Sequence, residues 1–274
     1  MDARFQLRVQ RYGWDKAAEH YEDYWAEQLA PAQQRLLALA QLAPGERVLD
    51  VACGTGLVTF PAARAVGATG SVLATDISEV MVARAEGAAL RAGLSTVTVQ
   101  RMDAQNLQAP NDSVDAVLCA LGLMYVPDPL AALREMRRVL RNDGRAVVAV
   151  WGARDQCGWA EIFPIVDARV RSEVCPMFFQ LGTANALTLT MELAGFSSVI
   201  VERIPTTLAY ASGADACGAA FAGGPVALAY SRFDAPTREA AEAEYLASLA
   251  PYRRGNAFEV PGEFVVARGV RAAH

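Results

Sequence analysis

Lysine is almost missing from this 274-residue chain: Lys16 is the only one, and arginine supplies the rest of the 25 basic residues. Thirty acidic residues bring the net charge to −5, and no lysine–arginine cluster interrupts that balance. A phosphate backbone needs a basic footprint to displace its counterions, so a nucleic-acid partner is not expected. Histidine is equally scarce, with only His20 and the terminal His274. The five cysteines, at 53, 119, 157, 175 and 217, include no C-x-x-C pair. A zinc site is therefore not expected. No stretch approaches the roughly 20 uninterrupted apolar residues of a membrane span. The first residues, Met1-Asp2-Ala3-Arg4-Phe5, lack the apolar core of a signal peptide, and a cytoplasmic location is expected.

What the chain has in quantity is apolar material, 53% of all residues, enough to bury a large core. That length fits one domain with an elaboration, or two closely joined. The informative stretch is Val48 to Gly56, VLDVACGTG. Four residues of buried-strand character run into the turn Ala52-Cys53-Gly54-Thr55-Gly56, and a helix-like segment, Leu57 to Val66, follows at once. Glycine in such a turn takes backbone angles closed to other residues and lets a ligand approach the main chain. A strand, glycine turn and helix in this order form the nucleotide-binding corner of a doubly wound sheet. Taken alone, the same pattern also fits a plain tight connection.

The next strands narrow the choice. The run Ser71 to Thr75 ends in Asp76, 20 residues after Gly56, where a carboxylate can accept both ribose hydroxyls of an adenosine. Val97-Thr98-Val99 leads to Asp103-Ala104, placing a carboxylate within reach of an adenine amino group. A fourth strand is expected at Val114 to Ala120 and a fifth at Arg145 to Trp151.

Residues 47 to 152 resemble the class I methyltransferases dependent on S-adenosylmethionine, in particular the small-molecule enzymes related to quinone-biosynthesis methyltransferases. The resemblance rests on Asp50 to Gly56, on Ala74-Thr75-Asp76-Ile77-Ser78 with Met81 behind it, on Asp103-Ala104, and on Arg134 to Arg145. Within that last segment Asn142-Asp143-Gly144 stands where the family more often has Pro-Gly-Gly, and a turn is still encoded. The resemblance covers about two fifths of the chain and implies an α/β fold. Its Rossmann-like sheet would have seven strands, the last antiparallel. It implies S-adenosylmethionine as cofactor, bound by Asp50, Ala52, Cys53, Gly54, Gly56, Asp76, Ile77, Met81, Asp103, Ala104 and Cys119, with Tyr24 from a lid.

A dehydrogenase is the rival for any such corner. Its fingerprint, G-x-G-x-x-G, needs a third glycine, but Gly54-Thr55-Gly56 is followed by Leu57-Val58-Thr59. Asp50 before the turn would repel a pyrophosphate and suits a ligand carrying an ammonium group. It also fits a buried carboxylate that only caps loop amides.

The domain reading follows: an N-terminal lid over 1–45, a cofactor core over 46–152, and a remainder, 153–274, that completes the sheet (184–211 and 262–274) and supplies a cap (153–183 and 212–261). Helices are expected from Trp14 to His20 and Tyr21 to Ala30, with Pro31 opening another that runs to Leu42. The aromatic residues Trp14, Tyr21, Tyr24 and Trp25 form a stripe that either contacts ligands or packs on the sheet. Cys157 to Val174 and Thr183 to Ala194 are read as helical, Ser198 to Ile204 and Glu263 to Arg268 as strands six and seven. Two helices, Asp215 to Tyr230 and Thr237 to Leu249, fall between those strands. Apolar insertions at the carboxyl ends of strands build substrate pockets in α/β enzymes, although the same surface suits a homodimer interface.

Methyl transfer asks the protein mainly for alignment and exclusion of water. The candidate catalytic residues are His20, needed only if the acceptor must lose a proton, and Tyr125 beyond strand four. Tyr21, Met124, Tyr125, Trp151 and Trp159 are the candidate acceptor contacts. The shortage of polar groups there points to a small apolar or aromatic acceptor, or a thiol. Two alternatives stay open: a non-catalytic ligand-binding module on the same fold, and methylation of a thiophilic metalloid held by Cys157, Cys175 and Cys217.

Overall fold

Each apolar run in the first half becomes a strand of one sheet, and each amphipathic segment between them a covering helix. The computed structural model describes residues 3–170 and 178–273. In chain order the elements are α1 (Ala3–Ala17), α2 (Tyr21–Ala40), β1 (Arg47–Val51), α3 (Thr59–Val66), β2 (Ser71–Asp76), α4 (Glu79–Arg91), β3 (Val97–Arg101), β4 (Val114–Ala120), α5 (Pro129–Val139) and β5 (Leu140–Trp151). They continue as α6 (Ile162–Asp167), α7 (Ala186–Leu193), β6 (Ser197–Tyr210), α8 (Gly213–Cys217), α9 (Ala227–Tyr230), α10 (Ala235–Ser248), β7 (Arg253–Arg254) and β8 (Ala257–Val270).

The sheet runs β3-β2-β1-β4-β5-β8-β6, with the short β7 paired to β8. Neighbours from β3 through β5 pair in parallel, whereas β8 pairs antiparallel with both β5 and β6. A parallel sheet covered by helices on both faces needs strands apolar on both sides, and β4 and the last eight residues of β5 meet that need almost throughout. The expected seven-strand α/β sheet is present, with β7 added. The strand order reverses between the parallel neighbours β1 and β4, and the crevice at their carboxyl ends is where open α/β sheets bind ligands.

Helices α4, α5 and α10, like the short α8 with its Ser212, start where the sequence carries capping residues. The Ser78 hydroxyl accepts the Met81 amide at 3.1 Å, Asp128 the Ala131 amide at 2.9 Å and Asp234 the Thr237 amide at 3.0 Å. Each such cap satisfies an amide the helix leaves open, worth about 1 kcal/mol.

Three local expectations are corrected. Pro31 does not open a new helix; it lies inside the continuous twenty-residue α2. Its missing amide costs one helical hydrogen bond. Leu29, Ala32, Leu36 and Leu39 nevertheless form an unbroken buried stripe across it, and that packing outweighs the break. The helix expected over Cys157 to Val174 is the six-residue α6 with turns around it, and residues 171–174 lie outside the described ones. The insert between β6 and β8 is divided further than expected, because α8 ends in a π-helical turn, Gly218–Ala222, before α9.

Arg145 joins α2 to the sheet. Its guanidinium makes a two-point contact with Glu46, at 2.8 and 2.7 Å, and donates to the carbonyls of Ala40 and Gln41 at the end of α2. A cation at a helix carboxyl terminus also meets the negative end of its dipole. Replacing it by leucine strands Glu46 and two carbonyls in a poorly hydrated place. Arg145→Leu is expected to lower the unfolding free energy by about 3 kcal/mol, read from urea denaturation monitored by far-UV circular dichroism.

Candidate functional site

The crevice opens where β1 ends. After Val51 the backbone of Ala52 turns left-handed, at φ +56°, and Gly54 and Gly56 follow at +56° and +102°. Leu121, just past β4, is also left-handed at +61°. Positive φ is uncommon outside glycine, and such conformations gather at binding sites. Gly122 lets these two turns touch, since a β-carbon there would lie 2.3 Å from that of Ala52.

Asp76 locks the turn. One carboxylate oxygen accepts the Gly54 amide at 2.9 Å, and the other accepts the Ser78 amide at 2.8 Å. Burial pushes its pKa up to about 6, against the lowering pull of those backbone amides. Asp50 lies deeper. Its Oδ2 accepts the Thr59 hydroxyl at 2.6 Å, while Oδ1 is buried without a partner. Burial, reinforced by the Asp76 charge, raises Asp50 to about 7 although the Thr59 hydroxyl favours its ionised form. An unpaired buried oxygen beside a second carboxylate suits a water or a positively charged ligand group.

Two cavities meet at this point. The first, about 730 Å³ with its open mouth counted, is lined by Ala52, Gly54, Asp76, Ile77, Met81, Asp103 and Ala104, all expected from sequence. Its remaining walls include Leu7, Gln10 and Trp14 of α1, Met102, and Leu121 and Gly122 after β4. The second cavity, about 330 Å³, is lined by Trp25 and Leu29 of α2, by Met124, Trp151 and Trp159, and by Gly224 and Pro225 from the insert. Trp14, Tyr21, Leu121 and Tyr125 border both. The indoles of Trp25, Trp151 and Trp159 meet edge to face, with centroids 4.9 to 6.4 Å apart.

The structure gathers most of the expected residues but not all. Asp50, Cys53, Gly56 and Cys119 stand behind the cavity wall. Cys53 and Cys119 are buried, and Gly56 makes room for the Phe60 ring, which would lie 2.4 Å from a β-carbon. Tyr24 and His20 line neither cavity. The Tyr24 ring packs on the insert, where only glycine fits at 218 because a β-carbon would fall 2.2 Å from it. His20 precedes α2 as its cap residue, its ring 6.3 Å from that of Tyr24. Of the three cysteines considered as metalloid ligands, Cys175 lies outside the described residues. Cys157 sits near Glu263 and Cys217 near Glu242, and burial raises both thiols, to about 11 and about 12. Among the described residues no group of three or more His, Cys, Asp or Glu is placed to hold a metal ion.

Sequence reasoning passed over Leu7 and Gln10, because α1 was expected to begin only at Trp14. The signal for Gly224 and Pro225 was a turn-forming pair inside the insert, read there as part of a helix. Leu121 carried no signal, since its left-handed backbone is not encoded by glycine or asparagine.

Residues 48–144 match a family described as a methyltransferase domain. Nocamycin O-methyltransferase of Saccharothrix syringae is 39% identical over 132 residues, 48% of this chain and 47% of that protein. The ubiquinone/menaquinone biosynthesis C-methyltransferase of Burkholderia vietnamiensis is 42% identical over 112 residues, 41% of this chain and 46% of its own length. The chain thus spans about half the length of these relatives. The YcgJ protein of Bacillus subtilis has a similar fold, with a TM-score of 0.63 at 18% identity over 89% of this chain and all of that one. No described helix is long and apolar enough to cross a membrane. Over residues 48–144 the chain is therefore similar to a methyltransferase domain, and the relatives it matches over less than half of its length are named methyltransferases.

Proposed function

We propose that this chain transfers the methyl group of S-adenosylmethionine to a small, apolar, aromatic acceptor seated in the second cavity. One observation carries the reading. Among the described residues the only charged side chains lining the first cavity are the carboxylates Asp76 and Asp103, and no charged residue lines the second. A dinucleotide would bring its pyrophosphate against those carboxylates with no basic side chain to meet it. A ligand with an ammonium and a sulfonium group, and an adenosine whose hydroxyls and amino group are donors, matches them.

In this reading Asp76 accepts the ribose hydroxyls on lone pairs left free by the Gly54 and Ser78 amides, and Asp103 takes the adenine amino group. Ile77 and Met81 pack on the adenine. Ala52 and Gly54 bring the main chain close to the methionine part, and Asp50 holds a water or the ammonium from behind. The cofactor supplies an activated methyl: the acceptor's lone pair forms the new bond to carbon while the carbon–sulfur bond breaks and its electron pair returns to sulfur. The protein's share is alignment and dryness.

The lid is assigned to residues 1–45 and the cap to 153–183 and 212–261. Gly13 of α1 faces Pro225 and Leu228 of the insert, so lid and cap close over the second cavity together. No Asp, Glu, His or Lys lines that cavity among the described residues. Burial and the nearby Asp76, Glu22, Asp50 and Cys53 raise the Tyr21 phenol far above its ordinary value, so it keeps its proton. The acceptor therefore needs little help from a base. Acidic phenols, enols and thiols qualify, as does a carbon made nucleophilic by an adjacent hydroxyl.

Calorimetric titration with S-adenosylmethionine and S-adenosylhomocysteine tests the cofactor reading. Micromolar binding of both is expected, weakened at least tenfold in Asp76→Ala by loss of charge-assisted hydrogen bonds worth roughly 1.5–3 kcal/mol. Absence of binding by either ligand refutes it. Assays of S-adenosylhomocysteine release with phenols, quinols, thiols and aliphatic alcohols test the acceptor, and turnover confined to aliphatic alcohols contradicts the aromatic assignment. The binding should also depend on pH. Asp50 and Asp76 are raised to about 7 and about 6, so each is increasingly protonated below its value and meets a cation only once ionised. Affinity for S-adenosylmethionine is expected to tighten as pH rises from about 5.5 to 7.5 and then level off.

A further inference from the structure

Four residues line both cavities, and three of them are aromatic: Trp14, Tyr21 and Tyr125. Trp14 holds the group together. Its ring centroid is 5.9 Å from that of Tyr21 at an interplanar angle of 87°, and 5.0 Å from that of Tyr125 at 81°. Rings crossed near right angles touch edge to face and do not stack, and all three keep surface on the wall that the two cavities share. Leu121, held left-handed at φ +61°, supplies the remaining wall. The three rings come from separate places in the chain: α1, the start of α2, and the 3-10 turn Leu123–Tyr125 after β4.

In the reading above, a methyl group moving from the first cavity to an acceptor in the second crosses the border these residues share, which puts the reacting sulfur beside them. We propose that Trp14, Tyr21 and Tyr125 form an aromatic collar that recognises the cofactor by the positive charge on its sulfur and so distinguishes it from the neutral thioether product. The proposal rests on the S-adenosylmethionine reading above and adds to it a basis for exchanging product for fresh cofactor. The face of an aromatic ring is the negative part of its quadrupole, and it attracts a cation within about 6 Å of the ring centre, most strongly where water is excluded. Because the Tyr21 and Tyr125 centroids are 5.9 and 5.0 Å from that of Trp14, a cation held at this border can come within that reach of more than one ring. No arginine, lysine or histidine lines either cavity among the described residues, so no protein cation competes for the faces. Asp50, with its unpaired buried oxygen, and Asp76 lie close enough to act on the Tyr21 phenol, which places negative charge behind the collar. Once the methyl group has left, sulfur is neutral. The collar then holds the product by shape alone, while hydrogen bonds to the adenosine are unchanged.

Paired dissociation constants for S-adenosylmethionine and S-adenosylhomocysteine, measured by calorimetry at pH 8 on the full chain, test the collar. Trp14→Leu keeps an apolar side chain but removes the ring face. It is expected to weaken S-adenosylmethionine by roughly tenfold while S-adenosylhomocysteine stays within about twofold. Trp14→Phe, which retains a face, should recover most of the difference. Tyr125→Leu should shift the ratio in the same direction and carries the test if Trp14→Leu does not fold. Equal loss of both ligands in the leucine variants would mean that the rings only shape the cavity, and the proposal would be wrong. If the unaltered chain binds neither ligand, the methyltransferase reading itself fails and the collar with it. Binding of both with an unmoved ratio overturns the collar alone.

Discussion

The carboxylate of Asp76 accepts the Gly54 amide on one oxygen and the Ser78 amide on the other, so the ends of β1 and β2 and the start of α4 are tied to a single buried group. Ser78 passes the connection on. Its hydroxyl donates to Asp15 of α1 at 2.6 Å and accepts the Met81 amide in the first turn of α4. The lid helix is thus bonded, through one serine, to the residue assigned to the ribose. A carboxylate with both oxygens occupied by amides cannot swing away when no ligand is present, and the site keeps its shape. The cost is buried negative charge, visible in the raised pKa values of Asp50 and Asp76. A cationic ligand relieves that cost, which is the electrostatic reason this pocket suits a sulfonium cofactor better than a dinucleotide.

The opposite end of the molecule sets the acceptor cavity. Arg145 fixes the carboxyl end of α2, Arg35 pairs with Glu202 of β6, and the Gln28 amide bonds both the N–H and the carbonyl of Ala209. Held along its length, α2 delivers Tyr21, Trp25 and Leu29 to the crevice at fixed positions. The insert then packs against α2 at Gly218, where a β-carbon would fall 2.2 Å from the Tyr24 ring, and meets α1 at Gly13. In the proposed reading, recognition of cofactor and acceptor is divided between the two cavities, and the aromatic rings that line both belong to each.

Much of the core was legible from the chain. Strands one to five, the turn at Gly54 and Gly56, and the acidic ends at Asp76 and Asp103 follow from apolar runs, punctuation by small residues, and spacing. These are local signals, and parallel strands buried on both faces state them strongly. The misreadings fall where long-range packing overrides local preference. Pro31 breaks helices in isolation, yet the buried stripe of α2 runs through it. His20 and Tyr24 share a helix turn with Tyr21, and only packing against Gly218 and Gly223 turns them away from the site.

By itself the sequence determined the core of the sheet, the end of it where the crevice opens, and the carboxylates Asp76 and Asp103 that line that crevice. Those features repeat within about thirty residues of one another, so neighbouring residues suffice to encode them. The acceptor cavity and the collar were decided only in three dimensions. Trp14, Tyr125 and Trp159 are far apart in the chain, and an aromatic residue looks the same in a sequence whether it packs a core or lines a passage. What separates the two is which rings meet, at what angle and around what space, and only the packing of α1, α2 and the insert on the sheet fixes that.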